Sequence, residues 1–205
     1  MKKIMSNDRY GLTQAVIDEI KTNTRRAERS LDVLPLFYNP LISDFQFEYS
    51  DGLMVVRRLF KGIHVQTYHL KPRYKIGEEV AVAQPYKDVY PNADFDMVGN
   101  EFMTETAGWN NKMFVRADLM PHHIRITDIK VERLRDISED DCMKEGVVKW
   151  IDCYIVSGIM ENHGKNNVCF DTPREAFAAL IDRISGKGTW ERNPWVYAYE
   201  FEHIK

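Results

Sequence analysis

The 205 residues contain no G-x-x-x-x-G-K-[ST] loop, no G-x-G-x-x-G turn and no H-E-x-x-H pair, which removes the common nucleotide hydrolases, dinucleotide folds and zinc peptidases. Cysteine is scarce. Cys142, Cys153 and Cys169 are odd in number, include no C-x-x-C pair and follow a start without an apolar signal-like stretch. Together these predict a reducing, cytoplasmic setting in which all three are ordinary thiols and structural zinc is not expected. No apolar run approaches the ~20 residues of a membrane span. Neither sign of charge dominates: 28 basic and 31 acidic residues leave a formal net charge of −3. Affinity for phosphate must therefore come from local clustering, and a histone-like coating role is excluded. Repeats and low-complexity tracts are absent too.

What is present suffices for a core, with 44% hydrophobic and 12% aromatic residues. Leu12, Ala15, Val16 and Ile20 share a helical face over residues 12–20. Between Phe45 and Leu59, two β-rich runs flank Ser50-Asp51-Gly52, a strong hairpin signal. Lys75-Ile76-Gly77-Glu78 reads as a turn into a strand over Val80 to Gln84, which Pro85 stops. Residues 86–111 are polar, carry Pro91, Gly99 and Gly108, and read as an insertion over the surface. Ile124, Ile126, Ile129, Val131 and Leu134 predict a long strand with an irregularity between Ile126 and Ile129, where alternation breaks.

Helix ends are also legible. Ser138 can cap a short helix, Glu139, Asp140 and Asp141 favour its positive start, and Gly146 suits the position after its end. Thr172-Pro173-Arg174-Glu175 matches a capping box with proline at the first helical position, and Phe177, Leu180, Ile181 and Ile184 follow at helical spacing. Gly186 and Gly188 stop that helix. Trp195, Tyr197, Tyr199 and Phe201 alternate along a closing strand. Many strands, about three helices and no regular βαβ alternation predict an α+β fold with a curled or closed sheet.

Four pieces of the chain, taken in order, resemble the ASCH superfamily, particularly compact ASCH proteins encoded by phages and prophages. They are Ile17-Asp18-Glu19-Ile20-Lys21-Thr22-Asn23-Thr24-Arg25-Arg26; Tyr74-Lys75-Ile76-Gly77-Glu78-Glu79-Val80; Met120-Pro121 and Ile124–Ile129 through Asp136–Asp141 to Glu145-Gly146; and Trp190 with Asn193-Pro194-Trp195-Val196. The chain departs from the family at Glu19-Ile20, at Ala81, Ala83 and Gln84, and at His122-His123. The resemblance implies one domain over residues 1–205, a PUA-like, mostly antiparallel β-barrel with flanking helices; in a binding role, the insertion at about 86–111 would be its lid. It also implies a cleft for RNA, a nucleotide or a modified nucleoside, with no cofactor.

Lys21, Arg25, Arg26 and Arg29, opposed only by Glu28, form the strongest local run of positive charge, suited to phosphate. The bland alternative is a solvated basic turn. Some small ASCH proteins are amidohydrolases that remove the acetyl group of acetylcytidine with a lysine, a threonine and a glutamate, and Lys21, Thr24 and Glu145 stand at the matching positions. The competing reading makes Lys21 and Glu145 a structural ion pair and gives Thr24 a backbone partner. Strict alternation would point Lys21 and Thr24 apart, so convergence needs a turn between them. Trp109, in the insertion, is the expected base-stacking residue, whereas Trp195 and Tyr197 are expected in the core. His122 and His123 are strand neighbours whose side chains diverge, so no metal is expected on that pair. A third reading is an accessory protein whose partner is another protein.

Overall fold

Residues 1–34, 43–161 and 166–204 are described in the computed structural model of the chain. In order they form β1 (Lys2–Ile4), α1 (Leu12–Ile17), β2 (Asn23–Arg26), β3 (Ser43–Ser50), β4 (Leu53–Phe60), β5 (Ile63–Leu70), β6 (Glu79–Val82), α2 (Tyr86–Val89), β7 (Met97–Val98), β8 (Glu101–Phe102) and β9 (His123–Arg133). Then follow α3 (Glu139–Lys144), β10 (Val148–Trp150), β11 (Cys153–Ile155), β12 (Met160–Glu161), β13 (Asn166–Asn167), α4 (Pro173–Ile184), α5 (Thr189–Arg192) and β14 (Trp195–Ile204). The fold is α+β, as expected. Five helices replace the expected three, because α2 and α5 are single turns.

The main sheet has the order β1-β6-β9-β14-β2, antiparallel except for the β1/β6 pair. Its spine is the β9–β14 ladder. There Tyr199 pairs with Ile129, Glu200 with Asp128 and Phe201 with Ile126, so Thr127 is an extra, unpaired residue. That bulge is the predicted irregularity. It returns Ile126 and Ile129 to one face despite their odd spacing, and both are buried beside Tyr197, Tyr199 and Phe201.

The second layer is the meander β3-β4-β5. Asp51 and Gly52 both take positive φ, 52° and 78°, the conformation that a two-residue hairpin turn requires. The meander lays Phe45, Met54, Val56 and Leu70 onto the main sheet, where Phe45 meets Trp195 edge-on at 5.4 Å between centroids. On the opposite face of β14, α4 packs Phe177, Leu180 and Ile181 against Val196 and the α3 region. The Thr172 hydroxyl accepts from Glu175 N at 3.2 Å, as its sequence predicts.

Among the described residues no sheet closes on itself by hydrogen bonds, so the expected barrel is present only as a curled sheet with β1 and β2 as its edges. Those edges nevertheless approach each other. Arg26, at the end of β2, donates through Nη2 to Met5 O, just beyond β1, at 2.8 Å. The fold thus leaves an open seam between its first and last strands.

One expectation gains detail here and one fails. Residues 86–111 build a satellite core in which Tyr86, Ala93 and Met103 pack against Ala81 and Ala83 of the β6 region. A polar average concealed enough apolar residues for the segment to bury a face of its own. Cys153 and Cys169 are not free thiols: antiparallel bridging of Tyr154 with Phe170 sets their Cα atoms 5.5 Å apart and they form a disulfide. Cys142 alone remains a thiol. No described helix is long and apolar enough to cross a membrane.

Candidate active site

The seam opens into a cavity of about 860 Å³ lined by Lys21, Thr24, Arg25 and Arg26 of the β2 region, the Met5–Arg9 segment, Leu12, Lys112, Glu145 and one face of α4. β2 is an edge strand, hydrogen-bonded only to β14. The cavity lies along that free edge rather than over one face of the sheet, so residues of both strand parities reach it. This geometry removes the alternation problem that would have parted Lys21 from Thr24.

Local chemistry places the polar groups of the cavity. After α1 the chain reverses at Glu19, with φ 60°, and Thr22 is docked between Lys144 O and Phe201 N. On the other side, Ser138 caps α3 by accepting from Asp141 N at 3.1 Å. Gly146 then takes φ 103°; a Cβ there would stand 2.9 Å from Leu12 Cδ2 and 4.0 Å from Lys21 Cδ. Glycine at this point lets the lysine run alongside the helix end.

Lys21 is 3% exposed and its ammonium is saturated: Nζ donates to Glu145 Oε2 at 2.5 Å, to Asn23 O at 2.6 Å and to Glu145 O at 3.1 Å. The other oxygen of Glu145 accepts from Arg25 Nη1 at 3.2 Å. Arg25 also donates from Nε to Glu132 at 2.6 Å and from Nη2 to Asp141 at 2.9 Å. Two cations thus meet three carboxylates. Burial drives the Lys21 pKa down, against the opposing pull of Glu145. Burial opposes the Arg25 charge as well, but Glu145, Glu132 and Asp141 together outweigh it and raise its pKa. Glu132 is raised by burial, against Arg25.

Thr24 is 7% exposed, lines the cavity, and its hydroxyl makes no hydrogen bond among the described residues. Arg26 forms no ion pair among them either, and its Nε is buried without a partner. The expected run of positive charge is therefore mostly cancelled: Lys21 and Arg25 are neutralised in place, and of the run only Arg26 reaches the cavity without an ion pair among the described residues. Arg29 is exposed on a 3-10 turn outside the lining, because the strand has ended before it. Trp109 is half-buried in the satellite core, not at the cavity, so it offers no stacking face there.

Sequence reading did not find Glu132 and Asp141 as partners of Arg25, nor the knot in which Lys112 Nζ meets Asp8 at 2.6 Å and Thr13 at 3.0 Å. Asp141 was legible only as a helix-start acid. These pairs join residues about a hundred positions apart, and no local spacing signals them. Among the described residues no group of three or more His, Cys, Asp or Glu side chains could hold a metal ion. Set against known protein families, curated proteins and solved structures, the chain matches none.

Proposed function

We propose that the chain is a PUA-like protein of the ASCH type whose seam cavity takes a nucleoside-sized molecule and hydrolyses an amide on it, with acylated cytidine as the substrate class. The observation that carries this reading is one cavity lined both by a buried lysine–carboxylate pair, drawn from positions 124 apart, and by a threonine hydroxyl that has no partner among the described residues. The competing structural reading has its Lys21–Glu145 ion pair in place, but Thr24 satisfies no backbone group among the described residues. A volume of about 860 Å³ suits a small molecule, since such sites span about 300–1,000 Å³. Leu12, Phe177, Leu180 and Ile181 supply an apolar wall for a base ring.

The chemistry rests on one contact beyond those formed here, between Lys21 Nζ and the Thr24 hydroxyl, which bound substrate must bring about. A proton shared across the 2.5 Å Lys21–Glu145 contact can rest on the carboxylate, leaving an amine, and burial of Lys21 favours that form. The amine takes the Thr24 hydroxyl proton as Oγ attacks the acyl carbon. That proton passes to the leaving nitrogen, the C–N bond breaks, and water cleaves the resulting ester by the same route in reverse, releasing the acid. Incubating the purified protein with N4-acetylcytidine and following deacetylation tests this. Turnover is expected, falling ~100-fold or more in Thr24→Val and Lys21→Met. No turnover, or full turnover without the Thr24 hydroxyl, removes the assignment.

A second reading, binding of RNA or a nucleotide without chemistry, is favoured by Arg26, whose buried Nε has no partner among the described residues and could meet a phosphate oxygen in the seam. It predicts binding of short RNA or nucleotide that weakens with salt and with Arg26→Ala. Salt-independent binding, or none, excludes it.

A further inference from the structure

We propose that His122 and His203 form a binding site for a single divalent ion of the Zn²⁺ or Ni²⁺ type at the end of the β9–β14 ladder, outside the seam cavity. The two neighbouring histidines do diverge: His123 Nδ1 turns to Glu79 Oε1 at 2.6 Å, across to β6. His122 finds a different partner, 81 positions away, with its Nδ1 3.2 Å from His203 Nε2. Two nitrogens each about 2.0–2.1 Å from one ion stand about 2.9 Å apart at a right angle and about 3.3 Å apart at the tetrahedral angle. The observed separation lies between these values, so an ion fits off the line joining the two nitrogens once both rings turn their lone pairs towards it. The rings are already inclined by only 33°.

The far nitrogen of His203 supplies the second observation. Its Nδ1 lies 3.6 Å from Glu19 Oε1, the position from which a carboxylate fixes the tautomer and direction of a ligating imidazole. The His203 side chain is 7% exposed and held, while that of Glu19 is 69% exposed and free to close the remaining gap. With no ion bound, one N–H lies between the two rings. Coordination moves that proton to a far ring nitrogen, frees both lone pairs and leaves the open coordination positions to water. Imidazole pairs suit Zn²⁺ and Ni²⁺, and nothing here offers the thiolates or all-oxygen cage that other ions prefer.

Calorimetric titration of the chelator-stripped full chain with ZnSO₄, repeated with NiCl₂, tests the site. One saturable site is expected, weakened at least tenfold in His122→Gln and in His203→Gln. Glu19→Gln, acting through His203, is expected to weaken it by up to tenfold. A His64→Gln/His69→Gln double variant, which removes two histidines of β5, should bind like the unaltered chain. The absence of a saturable site, undiminished affinity in His122→Gln, or loss of binding in the β5 double variant overturns the proposal. Glu19 is exposed and His122 only half-buried, so those variants keep the question answerable if His203→Gln fails to fold.

Discussion

At the scale of single residues, the seam is held by charges that cannot be separated cheaply. Glu145 faces Lys21 and Arg25 at once, so Glu145→Gln leaves two buried cations without their shared anion. Loss of one partner from a buried pair typically costs about 3–5 kcal/mol, and urea unfolding should show a loss of that order. If the cluster were solvent-screened instead, the loss would stay below ~1 kcal/mol. Cys142 gives a prediction with the opposite pH sense from an acid. Burial pushes its thiol up to about 12 from an ordinary 9.0, so above pH 9 the unfolded chain releases a proton that the folded chain keeps. Its contribution is complete below pH 9 and declines as pH rises towards 12. Between pH 8 and 10.5, the unaltered chain should therefore lose more stability than Cys142→Ala. Equal losses would show that the thiol titrates normally when folded.

At the scale of elements, ends and turns were the most legible part of the chain. Ser138, Thr172, Pro173 and the Asp51-Gly52 turn each act within a few residues of their own position, and each sits where its chemistry puts it. Thr172→Ala should cost ~1 kcal/mol, read by thermal or urea unfolding. β5 went unread because most of its residues are exposed, which leaves no clear apolar alternation to see. The Met5–Arg9 wall of the cavity rests at Arg9 against Gly158, where an added Cβ would fall 2.1 Å from Arg9 O at a φ of 75°. The obstacle is backbone, so it cannot be relieved by a rotamer change. Gly158→Ala should destabilise the chain by at least ~1–3 kcal/mol and disturb the Met5–Arg9 wall, lowering any activity at the seam. Unchanged stability in this variant would show that the wall is not packed as described.

At the scale of the whole molecule, long-range pairing decides what the site is. The Cys153–Cys169 disulfide predicts a thiol count that depends on state: no reactive thiol in the native chain, one after denaturation without reductant, and three after denaturation and reduction. Three thiols without reductant would refute the bridge. The sequence by itself determined the α+β class, the caps, the hairpin, the bulge near Thr127 and the presence of Lys21, Thr24 and Glu145 as candidates. Apart from those three candidates, which came from the family resemblance, all of these depend on interactions over a few residues, or on a pattern read along one strand. Only the tertiary structure decided that the sheet curls without closing, that Trp109 packs into a satellite core, that Glu132 and Asp141 neutralise Arg25, and that the cavity lies along the free edge of β2. Those outcomes depend on strand order and register, which bring together groups a hundred or more residues apart. Whether a buried cation is free or cancelled is settled by the carboxylate that arrives beside it, and no local spacing in the chain encodes that arrival.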